Sequence, residues 1–208
     1  MNRAAMTYPV RAALLRTFAV LAIPFALTAC DSSAPPPAER PPLEGAAIGG
    51  PFTLVDKTGA TVRWEDFAGK YRIVYFGYTF CPDACPMDVQ QMMKGFGLFE
   101  KASPALAGQV QPIFISIDPA RDTPKVVGEF AAAFSPRLLG LTGTPEQVQA
   151  AAKAFAAYYA RGQESAGGYL MDHSRVAFLM DRDGKPMAML PVDKNPEAVA
   201  AELTKWVR

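Results

Sequence analysis

The chain of 208 residues is 50% hydrophobic and 20% charged, enough apolar material for one soluble domain with additional N-terminal sequence. Its formal charge is +1, and Arg3, Arg11 and Arg16 all sit in a segment with the features of a removable leader. The remainder is slightly acidic and has no basic excess to neutralise phosphates, which argues against nucleic acid as a partner.

The leader begins with a basic region, MNRAAMTYPVRAALLR, followed by the apolar run Thr17 to Ala29, TFAVLAIPFALTA. That run is interrupted by Pro24 and is shorter than the roughly 17–25 residues a membrane-spanning helix requires, so it reads as the apolar part of a signal peptide. It ends in Leu27-Thr28-Ala29-Cys30, which resembles a bacterial lipobox with Cys30 as the lipidated new N-terminus. Ordinary cleavage near small residues, or an uncleaved anchor, are the alternatives. Asp31 resembles the inner-membrane retention signal of enteric lipoproteins. Residues 31 to about 47, DSSAPPPAERPPLEGAA, cannot bury enough surface to fold and favour extended polyproline II. At about 3.1 Å per residue this tether would hold a domain roughly 50 Å from its anchor. The expected organisation is therefore a lipoprotein-type signal peptide over 1–29, a lipid-anchored Pro-rich tether over 30–47, and a domain over 48–208.

Within the domain, Phe52–Val55 and Thr61–Trp64 flank Asp56-Lys-Thr-Gly59 as a hairpin. Tyr71 to Gly77, YRIVYFG, is an apolar run suited to a central strand. Met87 to Ala102 has the apolar spacing of a helix, Val110 to Ile117 is a second central strand, and Thr123-Pro124 opens another helix. A short strand at Leu138–Leu141 precedes a helix from Thr144-Pro145 to about Tyr159. Arg175–Met180 and Met187–Leu190 pair around Asp181-Arg-Asp-Gly184, and Asn195-Pro196 starts a last helix to Val207. This order resembles a thioredoxin-like fold of the α/β class, with a central mixed sheet flanked by helices and an N-terminal hairpin extension.

Cys81 and Cys85, in YFGYTFCPDACPMD, fall between the first central strand and its helix. Pro86 suits the first helical turn but disfavours helical geometry at Cys85, which puts Cys85 near the N-cap and Cys81 in the preceding loop. Partial positive charge at that helix end favours thiolates. Three uses of the pair are open. A structural disulfide closes too few residues to add much stability. A redox dithiol suits the fold position, although dedicated thioredoxin-like oxidoreductases usually have two intervening residues. A metal site requires another donor, and the chain's single histidine, His173, is expected on a loop entering the last hairpin beside the cysteines. Two thiolates and one imidazole do not close a four-ligand structural zinc site. They suit copper, thiolates favouring Cu(I) and the imidazole helping to retain Cu(II).

Residues 75–88 together with Ile115–Pro124 (ISIDPARDTP), Gly140–Gly143 (GLTG) and Asp172-His-Ser174 resemble the Sco/SenC family, over about residues 46 to 207. The resemblance implies a membrane-tethered, thioredoxin-like protein of the bacterial cell envelope. Its periplasmic domain would bind copper through Cys81, Cys85 and His173. It would deliver the metal to the binuclear site of cytochrome c oxidase subunit II, with a periplasmic copper donor or thiol oxidoreductase as a further partner. Many relatives keep a transmembrane helix, whereas this chain has the lipid signal at Cys30. Some members also reduce disulfides, so the rival reading is a thiol-disulfide reductase that prepares a partner's cysteines for metallation. A peroxidase of the same fold has little support, because no peroxidase signature surrounds Cys81. Asp118, Arg121 and Asp122 serve either as a partner-facing rim or as turn formers with a local ion pair. Asp83 is read as a turn former, and Met87, Met92, Met93 and Met171 as packing residues outside the site.

Overall fold

The alternating residues from Phe52 onward fold as a short antiparallel hairpin, β1 (Thr53–Val55) with β2 (Thr61–Arg63). The Asp56 carboxylate closes its turn by accepting from the Thr58 and Ala60 N–H groups. Trp64, expected to end the second strand, instead starts a 3-10 turn over Trp64–Phe67 and buries its ring against Phe52 and Phe155. The chain then enters β3 (Tyr71–Gly77), which is buried along its whole length, as a strand covered on both faces must be. It continues through α1 (Ala84–Ala102), α2 (Pro104–Ala107), β4 (Val110–Ser116), α3 (Pro124–Phe134), β5 (Leu139–Leu141) and α4 (Pro145–Ala154). A hairpin of β6 (Tyr159–Ser165) and β7 (Gly168–His173) follows, then β8 (Ala177–Met180), β9 (Pro186–Leu190) and α5 (Pro196–Trp206).

The computed structural model describes residues 39–165 and 168–208. The expected signal peptide, Cys30 and the tether up to residue 38 lie outside the described residues. Residues from Glu39 onward belong to one unit. Among them, Leu43 donates its N–H to the Met187 carbonyl and packs on the core, and Glu39 pairs with Lys205. Among the described residues, no helix is long and apolar enough to cross a membrane.

Five strands form the central sheet in the order β5-β4-β3-β8-β9. The β3–β4 and β4–β5 pairs are parallel, while β8 and β9 run antiparallel, giving the expected mixed sheet of a thioredoxin-like fold. Alternate residues of β3 feed two cores. Tyr71, Ile73 and Tyr75 meet α1, α3 and α5; Val74 and Phe76 meet α4 and the N-terminal hairpin. The α1–α5 crossing depends on Gly95, where a Cβ would come within 2.5 Å of the Val199 Cβ. Thr123, Thr144 and Asn195 cap α3, α4 and α5 as expected, each accepting a backbone N–H of the first turn with proline following.

Two departures from expectation bear on the site. The helix expected to reach about Tyr159 ends at Ala154, because Phe155 turns its ring into the core and Ala156 adopts a left-handed φ of 50°. Tyr159 instead begins β6 and pairs with His173. His173 is therefore the last residue of a strand rather than part of a loop. The ladder restricts its backbone before any metal is considered.

Register places the functional ends together. Gly77 ends β3 opposite Ser116 of β4, while Ala177, opposite Tyr75, begins the antiparallel β8. The segment after β3, the segment after β4 and the segment before β8 therefore leave the sheet at the same edge.

Candidate metal centre

The centre is built on the N-terminus of α1. The helix starts at Ala84, with Asp83 at the N-cap and Cys85 already at the second helical position. Pro86 does not push Cys85 out of the helix as expected; in a first turn its missing N–H has no intrahelical partner to lose. Asp83 makes no side-chain cap, and the Cys81 sulfur takes that role, accepting the Cys85 N–H at 3.3 Å. Gly77 makes room for Cys85, since a Cβ there would stand 3.2 Å from the Cys85 Sγ.

The donor atoms of Cys81, Cys85 and His173 lie within 4.8 Å of one another. Both thiols are unbridged, Cys85 fully buried and Cys81 partly accessible. The Cys85 Sγ lies 3.0 Å from His173 Nε2, and His173 Nδ1 lies 3.0 Å from the Ser174 carbonyl oxygen. A carbonyl only accepts, so Nδ1 carries the proton and Nε2 is left with a lone pair facing the sulfur. Tyr75 and Tyr78 meet the imidazole edge-on and confine the ring.

Burial pushes the Cys85 thiol up, far above its ordinary range. Burial also opposes ionisation of Cys81, but the N–H groups of Cys85 and Asp83 outweigh it, leaving Cys81 below the ordinary thiol value. His173 is held below its usual value by burial, despite the opposing pull of the Ser174 carbonyl, so its imidazole is neutral near pH 7. Metal–sulfur and metal–nitrogen bonds of about 2.3 and 2.0 Å keep two donors of one ion within roughly 4.6 Å. The donor atoms, within 4.8 Å of one another, come close to that span, and two sulfurs and one imidazole nitrogen are the donor chemistry of copper.

Several residues that support this cluster are not legible as such in the sequence. Asp88 accepts from Tyr75 and Arg175 behind the centre. Tyr169, on β7, donates to Asp118 at 2.7 Å, and the guanidinium centres of Arg121 and Arg161 lie 3.6 and 3.8 Å from its ring centroid. Asp118 also accepts from Arg121 at 2.5 Å, forming a local ion pair. Asp122 is buried, accepting from Ser116 and from both the N–H and hydroxyl of Thr79. Burial raises its pKa despite those bonds. Asp122 thereby pins the segments after β3 and β4 together, while Asp118 ties the segment after β4 to β7. Met92, Met93 and Met171 are buried packing residues, and Met87 is exposed.

The SCO1/SenC family model matches residues 40–208. The chain belongs to the SCO1/SenC family. Protein SenC of Rhodobacter capsulatus is 45% identical over 155 residues, 74% of this chain and 68% of that protein. The mitochondrial SCO1 homolog 1 of Arabidopsis thaliana is 42% identical over 68% of this chain, and the human mitochondrial SCO1 homolog 35% identical over 77%. These matches span 42% and 53% of the plant and human proteins. Among solved structures, Arabidopsis thaliana ScoI with copper bound has a TM-score of 0.72 at 35% identity, covering 76% of this chain and 97% of that one. Bradyrhizobium japonicum ScoI with copper bound has a TM-score of 0.69 at 36% identity, covering 77% and 99%.

Proposed function

We propose that this SCO1/SenC protein binds copper through Cys81, Cys85 and His173 and delivers it during assembly of the binuclear copper site of cytochrome c oxidase subunit II. The observation that carries this reading is the convergence of two sulfurs and one neutral imidazole from separate elements. Similarity to copper-bound ScoI structures above 30% identity supports the choice of metal. Three protein donors leave copper open to an incoming ligand, as a metal in transit requires. The lipobox at Cys30 supports a lipid-tethered domain on the periplasmic side of the bacterial inner membrane. Copper analysis of the reduced protein, with absorption and electron paramagnetic resonance in the Cu(II) state, tests the reading. One copper per chain with sulfur and nitrogen ligation is expected; a reduced, folded protein without copper affinity would overturn it.

The asymmetry of the thiols favours a second activity of the same pair. Cys81 is accessible and more acidic, whereas Cys85 is buried and protonated. A Cys81 thiolate attacking a partner disulfide would release one partner thiolate; Cys85, losing its proton, would then displace the other. The partner gains two thiols and this chain a Cys81–Cys85 disulfide. Stoichiometric reduction of a disulfide substrate by the reduced, metal-free protein, abolished in Cys81→Ser, tests this reductase reading.

A further inference from the structure

Cys85 and His173 come from different elements, so their donor atoms meet only if the helix and the strand end are held in register. An ion pair between a buried carboxylate and a half-exposed guanidinium links those two elements directly behind the centre. Asp88 stands three residues after Cys85 in α1, with its side chain 2% exposed, and Arg175 stands two residues after His173. The guanidinium grips the carboxylate twice, Nε to Oδ2 at 2.9 Å and Nη2 to Oδ1 at 2.6 Å. Such a fork fixes orientation as well as distance. From β3, Tyr75 donates its hydroxyl to Asp88 Oδ2 at 2.9 Å while its ring meets the imidazole edge-on.

We propose that the Asp88–Arg175 pair is a positioning clamp that holds His173 against Cys85 and so sets how well the protein retains Cu(II) relative to Cu(I). The proposal rests on the copper reading above. The two residues act through the backbone that carries His173 and are positioning residues. Both thiols stay on the α1 side of the clamp, so opening it removes the nitrogen donor and leaves the Cu(I)-binding pair. The competing account is charge compensation alone: a buried carboxylate needs a partner, and removing both charges together would then be harmless.

The test uses the full reduced chain with Arg175→Met, Arg175→Lys and the double variant Asp88→Asn/Arg175→Met. Arg175→Met is expected to lose the imidazole nitrogen hyperfine coupling of Cu(II) and release Cu(II) to a chelator roughly tenfold faster, while Cu(I) affinity stays near that of wild type. Arg175→Lys should partly restore the coupling through one charged bond, and the double variant should behave like Arg175→Met. Wild-type coupling and release in Arg175→Met, or their recovery in the double variant, would overturn the clamp and leave the copper reading intact. A copper-free measurement separates the two ideas. Peptide-resolved alkylation of Cys85 in the metal-free protein should accelerate in Arg175→Met while hydrogen exchange in β4 is unchanged. If wild type binds no copper, the functional reading falls and this alkylation decides the clamp: an unchanged rate overturns it.

Discussion

The Cys85 sulfur and His173 Nε2 are 3.0 Å apart across 88 positions of sequence. The contact joins a soft donor to a borderline one, and on the proposed copper reading the thiolate favours Cu(I) and the imidazole Cu(II). Replacing Cys81 or Cys85 by serine exchanges a thiolate for a neutral hydroxyl and should weaken Cu(I) binding by orders of magnitude. His173→Ala keeps both thiolates; it should retain much of the Cu(I) affinity and lose most of the Cu(II) affinity. Anaerobic Cu(I) competition paired with Cu(II) absorption reads both. Equal behaviour of His173→Ala and wild type in both states would remove His173 from the site.

Gly77 sits under the thiol. A Cβ there would lie 2.9 Å from a Tyr75 ring carbon, 3.0 Å from a Phe114 ring carbon and 3.2 Å from the Cys85 sulfur. Gly77→Ala should cost about 1–3 kcal/mol by overpacking and displace Cys85. Chemical denaturation measures the stability loss, and the Cu(II) absorption maximum reports the displacement. A variant with wild-type stability would show that the two rings give way freely.

Tyr169 ties the hairpin carrying His173 to the segment after β4. Tyr169→Phe removes the bond to Asp118 and should cost about 1 kcal/mol. Tyr169→Leu also removes the ring that Arg121 and Arg161 stack on, and should cost more. Hydrogen exchange should speed in β6 and β7 and stay unchanged in β3. Uniform acceleration across the domain would contradict a local tether.

His173 titrates below its unfolded value, so near and below pH 6.5 the unfolded chain binds a proton that the folded chain refuses. Stability attributable to His173 is therefore fully present above that pH and declines as the pH falls toward the folded value. Asp122 has the opposite sign: its raised pKa contributes stability that is present below pH 3.8 and lost as pH rises through the folded value. The melting temperature of metal-free wild type should fall on acidification from pH 7 to 5 more steeply than that of His173→Gln. Parallel profiles would refute the burial effect at His173.

Cys30 carries the proposed lipid. Cys30→Ala should shift the protein from the membrane to the soluble fraction, with the domain from Glu39 onward still folded. Mass analysis of the mature wild-type N-terminus checks the same point, and an unmodified N-terminus would end the proposal.

Local patterning was enough for the elements whose information is local. The buried run Tyr71–Gly77, the Thr-Pro and Asn-Pro helix starts and the turn at Asp181–Gly184 each carry their geometry within a few residues, and the structure has them all. The two cysteines and the lone histidine were also conspicuous, because the chain has three cysteines and one histidine in all. Tertiary structure decided what depends on pairing. Arg161–Gly168, RGQESAGG, has the polar, glycine-rich composition of a loop, and the antiparallel pairing that begins at Tyr159 with His173 is what makes Arg161–Ser165 part of a strand. Asp88 could have been noticed as a carboxylate among the apolar residues of α1, one turn beyond Cys85. Its partner could not, since Arg175 reaches it only after β3 and β8 pair antiparallel. A side chain's partner across 87 positions is set by sheet order and register, and no local propensity encodes either.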